Sequence, residues 1–160
     1  MKSKKFLNIL SENECDFILD SFNKDSTKHN YQLTNDTTLL VRNPTYLDEF
    51  LLKGKDFLES ILDYVVIPEY SMVIKYIKGG KLPKHIDNAA ETGFTILISQ
   101  SDDISNPIIL YENPKVEVIL NRGDGLLFNG SNVYHERPVI ESDYLVVCLL
   151  GYKFRKKILM

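Results

Sequence analysis

Three histidines occur in this chain of 160 residues, and one of them, His85, stands two positions before Asp87. In an extended backbone, residues i and i+2 point to the same face. An imidazole nitrogen and a carboxylate oxygen then converge on one point, as two ligands of a metal do. His135 stands beside a second strand-like run and offers a third donor. Taken singly, a histidine next to apolar strands reads as a hydrogen-bonded structural residue. Together with Asp87, His85 and His135 become candidate metal ligands. His29 lies in the polar stretch "NKDSTKHN" and reads as a surface residue.

Holding such groups in place requires strands, and after Pro68 the apolar pattern takes their period. "YSMVIKYI", "LPKHID", "GFTILIS", "PIILYE", "VEVIL", "GLLFNG", "VYHERPV" and "YLVVCLLGYKF" read as successive strands separated by Gly, Asn, Asp and Pro turns. Upstream, "SENECDFILDSF" predicts a helix. Ser11 and Glu14 form a capping-box pattern, and Cys15, Ile18, Leu19 and Phe22 recur at i, i+3, i+4 and i+7. "TTLLVRN" predicts a short strand ended by Pro44. A second helix is expected from about Tyr46 to Tyr64, its apolar face marked by Leu47, Phe50, Leu51, Phe57, Leu58, Ile61 and Leu62, with Gly54 a weak point. Helices followed by strands predict an α+β chain, mainly β, built on a sandwich or barrel. The expectation is one domain over residues 1–160, helical to about residue 68 and a barrel from about 69 to 153, with helices and strands sharing one core.

Two imidazoles and one carboxylate, occupying one face of an octahedron and leaving positions open, are the ligand set of non-haem Fe(II) oxygenases. The surrounding spacing extends the match. "YIKGGKLPKHID" places Tyr76 nine residues before His85 with Gly79-Gly80 between them, and "GDGLLF" precedes His135. In this order the chain resembles the Fe(II)/2-oxoglutarate-dependent oxygenase superfamily over roughly residues 6 to 152, most of all its prolyl-hydroxylase-like branch. "LSENECDFILDSF" also looks like the helix that commonly opens such domains.

The resemblance implies a double-stranded β-helix, a jelly-roll or cupin-like barrel with N-terminal helices packed on one side. It implies Fe(II) held by His85, Asp87 and His135, with 2-oxoglutarate as cosubstrate and O2 as oxidant. The implied activity is hydroxylation of a peptidyl residue, an amino acid or a small metabolite. In the family the far carboxylate of the cosubstrate meets a basic side chain and often a tyrosine hydroxyl, for which Tyr76 stands in the matching place. One segment departs from the pattern. After the distal histidine the family carries Pro-Val-x-x-Gly-x-Arg/Lys, whereas this chain reads "PVIESDY", with Ser142 for the glycine and Tyr144 for the basic residue. A buried carboxylate without a cation is costly, so another residue has to meet it. Arg137, two residues after His135, and Lys78, two after Tyr76, are the candidates by strand alternation, with Lys75 facing away. Arg137 is favoured, Tyr144 supplies at most a hydroxyl, and Pro138 is the residue able to turn Arg137 outwards. Two other readings stay open: an iron oxygenase or oxidase using a different acid, suggested by Tyr144, and a catalytically inactive barrel serving as a binding module. Asp87 itself argues against a halogenase, which replaces the carboxylate with a small residue.

Charge and composition narrow the partners. A net charge of −3 gives no polyanion-binding signal, so nucleic acid is not expected as a partner. Cys15 and Cys148 fit neither a disulfide framework nor a zinc pattern and read as buried free thiols. The apolar part of "MKSKKFLNIL" is short for a signal peptide, and no segment reaches membrane-spanning length, so a cytoplasmic protein acting on a small molecule or peptide is expected. Phe94, Tyr111, Phe128 and Tyr134 read as core aromatics or pocket walls. Asn88 and Thr95 lie near the motif, Arg122 and "KFRKK" read as solvated, and Asp102-Asp103 as a turn.

Overall fold

The structure is a computed structural model that describes residues 2–31, 38–88 and 92–158. The short β1 (Lys4–Phe6) leads into α1 (Glu12–Lys24). Ser11 caps α1 in full: its hydroxyl accepts from the Glu14 N–H, and the Glu14 carboxylate accepts from the Ser11 N–H. Cys15, Ile18 and Phe22 are buried along one stripe of the helix, and burying a side chain such as Phe22 contributes about 1.5–3 kcal/mol. β2 (His29–Asn30) and β3 (Leu39–Arg42) follow, then a 3-10 turn (Thr45–Leu47) that runs directly into α2 (Asp48–Ile61). Thr37, at the start of the strand expected there, lies outside the described residues.

The remaining strands are β4 (Tyr64–Ile77), β5 (Leu82–His85), β6 (Thr92–Gln100), β7 (Ile108–Leu110), β8 (Val116–Val118), β9 (Gly125–Phe128), β10 (His135–Arg137) and β11 (Tyr144–Lys156). They pair antiparallel into a larger sheet, ordered β1-β9-β6-β11-β4-β3-β2, and a smaller one, ordered β5-β10-β7-β8. The two sheets face each other as a jelly-roll, the double-stranded β-helix, with both helices on the outer face of the larger sheet.

Two features differ from the sequence expectation. β4 begins at Tyr64, before Pro68, and β1 joins the larger sheet beside β9, so strand structure reaches into the part expected to be helical. Pro68 is tolerated inside β4 because it sits at a bulge, where Tyr152 pairs with Pro68 and the preceding Gly151 pairs with Tyr70. Helices and strands share a core, as expected, but the apolar residues form a second layer besides it. Ile18, Phe22, Leu47, Leu58, Phe94, Val146, Cys148 and Leu150 pack between the helices and the larger sheet. Leu40, Ile74, Leu110, Leu126, Leu145 and Val147 fill the space between the sheets. The larger sheet is covered on both faces, which is why "YLVVCLL" is apolar without alternation.

Gly54 is not the weak point its propensity suggests. A side chain there would collide with the Tyr152 hydroxyl, which reaches into the space and donates to the Leu51 carbonyl at 2.7 Å. Cys15 and Cys148 are buried free thiols, as expected. No helix among the described residues is long and apolar enough to cross a membrane.

Candidate metal centre

His85 closes β5 and His135 opens β10, and antiparallel pairing sets these two residues directly opposite each other. Their ring centroids are 4.3 Å apart. Asp87 lies just past β5, where its N–H donates to the Gly130 carbonyl at 2.8 Å. Its Oδ1 is 3.2 Å from His85 Nε2 and 3.4 Å from His135 Nε2. One ligand atom from each residue lies within 4.8 Å of the others.

Hydrogen bonds behind the rings fix which nitrogens face inwards. His85 Nδ1 is 2.8 Å from the Pro83 carbonyl, and His135 Nδ1 is 2.9 Å from the Val133 carbonyl. A carbonyl only accepts, so each Nδ1 carries the hydrogen and each neutral ring presents an Nε2 lone pair. Two lone pairs and a carboxylate oxygen then face one another with no donor among them. That donor set fits a divalent cation, and hydrogen-bonded outer nitrogens are the usual support for such ligands. Burial by itself raises the Asp87 carboxyl; a ring that is protonated donates from Nε2 instead, and such bonds from His135 and His85 outweigh burial and hold the carboxyl well below the usual carboxylate range. The same bond to Asp87 raises His85. Phe128 packs edge-on against the His135 ring, with centroids 4.8 Å apart.

Gly130 is part of the centre although no spacing rule singles it out. A Cβ on it would overlap Asp87 Oδ2 and lie 3.4 Å from His135 Cε1, while its carbonyl holds the Asp87 N–H. Gly130→Ala therefore pushes the carboxylate off its position. It should weaken Mn(II) binding roughly 10- to 100-fold, the effect expected of a change just outside the ligands. Titration followed by electron paramagnetic resonance checks this, and an unchanged affinity would show that the carboxylate has room to move.

Arg137 projects into the cavity that His85, Asp87 and His135 line. The alternation His135 buried, Glu136 half-buried, Arg137 buried keeps it on the inner face, so Pro138 does not turn it out. It is 5% exposed, yet none of the ion pairs among the described residues includes it. Its Nη1 donates to the Asn106 carbonyl at 3.2 Å, and its guanidinium carbon lies 5.7 Å from the centroid of the Tyr76 ring. Burial lowers the Arg137 pKa and raises that of Tyr76, each partly offset by the other group. At neutral pH the pair is a guanidinium beside a phenol.

A buried polar staple fixes the loop that carries the Asn106 carbonyl. Asn106 Nδ2 donates to Ser142 Oγ at 2.7 Å, Ser142 Oγ donates to Asp102 Oδ1 at 2.7 Å, and Asn106 Oδ1 accepts from the Glu141 N–H at 3.1 Å. Ser142 is thereby a structural partner of the loop holding Arg137.

Two candidate residues stand elsewhere. Lys78 lies past the end of β4, exposed in the turn, because the strand stops at Ile77 and alternation no longer applies. Tyr144 opens β11 on its outer face, packed against the layer beneath the helices with the Lys75 ammonium 5.4 Å from its ring centroid. Neither lines the cavity. Arg122 is tied down and not merely solvated, donating to the Ile98 carbonyl and pairing with Asp16 at 2.6 Å. Tyr111 donates to Glu136 and Tyr134 is 50% exposed, so neither belongs to the core. Thr95 and Phe128 line the cavity, and Asn88 lines a wider one adjoining it.

No family model matches the chain, and no curated protein matches it. Many solved structures do share its fold. A viral collagen prolyl hydroxylase of Paramecium bursaria Chlorella virus-1, in complex with 2-oxoglutarate, superimposes with a TM-score of 0.73 at 13% identity, over 95% of this chain and 96% of that one. An oxidoreductase of the 2OG-Fe(II) oxygenase family from Burkholderia pseudomallei gives 0.77 at 9% identity, over 94% and 85%. A prolyl-4-hydroxylase of Pseudomonas putida gives 0.71 at 12% identity, over 98% and 93%. The chain has the fold of the 2-oxoglutarate/Fe(II) oxygenases, including that of prolyl hydroxylases.

Proposed function

We propose that this chain is a non-haem Fe(II)- and 2-oxoglutarate-dependent dioxygenase that hydroxylates a small-molecule or peptide substrate. The observation that carries the reading is Arg137, a buried cation without a counter-ion among the described residues, facing the cavity of His85, Asp87 and His135. A buried charge is costly unless it is paired. An acid entering beside the metal ligands supplies the missing partner. The fold supports the same reading, since solved structures sharing it include a complex with 2-oxoglutarate.

In this reading His85 Nε2, Asp87 Oδ1 and His135 Nε2 would hold Fe(II). The bound iron supplies oxygen activation: 2-oxoglutarate and O2 give succinate and CO2, one oxygen atom entering succinate and the other a substrate C–H bond. The chain's own groups bind and orient. Arg137 grips the far carboxylate, its planar fork being suited to two parallel hydrogen bonds. Tyr76 adds a hydroxyl donor to the same carboxylate. Phe128, Ile108 and Val147 line the cavity around the centre and limit water. Arg137 takes the role that Tyr144 leaves vacant, and it favours an acid cosubstrate over a barrel without turnover.

The test is addition of 2-oxoglutarate to the Fe(II)-loaded protein without oxygen. A weak visible charge-transfer band should appear, and admission of O2 should release CO2 slowly even without substrate. Absence of both would remove 2-oxoglutarate from the reading. Tyr76→Phe should weaken 2-oxoglutarate binding by about 1 to 2 kcal/mol, five- to thirtyfold, the loss expected of one hydrogen bond to a charged group. Titration of the same band measures it, and an unchanged dissociation constant would remove Tyr76 from the site.

A further inference from the structure

A second cavity, of about 300 Å³, shares Tyr31, Tyr70, His85, Asp87 and Leu149 with the walls of the metal centre. Ligand pockets start at about this volume, so it suits a small molecule and not an extended chain. Its other walls include Arg42, Asn43 and Asn88. Arg42 ends β3 opposite Met72, exposed at the mouth, and is in none of the ion pairs among the described residues. Tyr70 points inwards because Gly151, its partner on β11, has no side chain: a Cβ there would overlap the Tyr70 ring. Burial raises the Tyr70 phenol beyond its usual range and pushes Tyr31 up to about 12, so both stay protonated and able to donate. Arg42 and Asp87 line the cavity together with the two rings, the cation and the candidate metal ligand sharing one space.

We propose that this cavity is the substrate subsite and that it takes a small carboxylic acid, its carboxylate held by Arg42 and the Tyr70 hydroxyl and its body turned towards His85 and Asp87. The inference rests on the oxygenase reading above. Arg42 is the only cation among the described lining residues, and Asp87 is committed to the metal. One guanidinium with neutral donors matches a monoanion, whereas a phosphate dianion calls for a second cation. Met72 and Leu149 provide an apolar wall for the carbon skeleton.

The test uses the Fe(II)-loaded protein with saturating 2-oxoglutarate and a panel of small carboxylic acids: free amino acids, 2-hydroxy acids and saturated acids, each against its primary amide. At least one acid should accelerate CO2 release tenfold or more over the substrate-free rate, and its amide should not. Arg42→Ala should lose that acceleration and Arg42→Lys should keep part of it. The charge-transfer band, read in each variant, reports whether the centre is intact. If Arg42→Ala disturbs it, Tyr70→Phe, expected to raise the acid's half-saturation concentration at least fivefold, decides instead. Amides acting as well as acids, a normal response in the variants, or silence of the whole panel would each overturn the proposal. A wild-type protein that never binds 2-oxoglutarate overturns the oxygenase reading instead, so the two failures are distinct.

Discussion

Replacing His85 by alanine is expected to abolish stoichiometric Mn(II) binding and to bring product formation below detection. The ring contributes one of three inward donors, and its loss leaves His135 and Asp87 with too few ligands to hold a divalent ion tightly. Affinity should fall by more than ~100-fold, beyond the range of changes outside the ligand shell. The fold should survive, because the His85 side chain is partly exposed and its Nδ1 bond goes to Pro83 within the same strand. Equilibrium dialysis against Mn(II), with circular dichroism on the same sample, measures both. Undiminished binding would mean that the ion sits elsewhere.

Arg137→Ala is expected to raise the 2-oxoglutarate dissociation constant at least tenfold while leaving Mn(II) binding intact. A charge-assisted hydrogen bond contributes about 1.5–3 kcal/mol, and 1.4 kcal/mol is already a factor of ten. The two readouts separate because Arg137 shares a cavity with His85, Asp87 and His135 without belonging to that cluster. Removing the cation also leaves the Asn106 carbonyl without this donor. Arg137→Lys should therefore restore part of the affinity, returning a charge but not the fork. Equal affinities in wild type and Arg137→Ala would give the far carboxylate to another residue.

Much of the fold was legible because its signals are local. The capping box at Ser11 and the stripe Cys15, Ile18, Phe22 report α1 directly, and apolar runs between Gly, Asn and Pro turns report the strands. Pro68 misled, since a bulge that accommodates a proline depends on a distant partner strand. In the centre, residue types and spacing named His85, Asp87 and His135. Alternation puts Arg137 on the cavity side, where the structure also has it, but fails for Lys78, where the strand has already ended. Tyr70 was within reach of the same rule, lying on the inner face of β4 with Met72, Ile74 and Tyr76. Gly130 was not, because its role is the absence of a side chain next to a residue far away in sequence.

β11 carries two different jobs on its two faces. Val146, Cys148 and Leu150 pack beneath the helices, while Val147, Leu149 and Gly151 look into the cavities or make room for Tyr70. Neighbouring codons thus answer to different selective pressures. Change at the even positions trades in fold stability, whereas change at Leu149 alters which molecules fit, so this strand offers one position where new substrates can be explored without first loosening the scaffold. A mutant library restricted to position 149, half-buried on the cavity wall, should accordingly shift substrate preference more often than it unfolds the protein, and one restricted to 146, 148 and 150 should do the reverse.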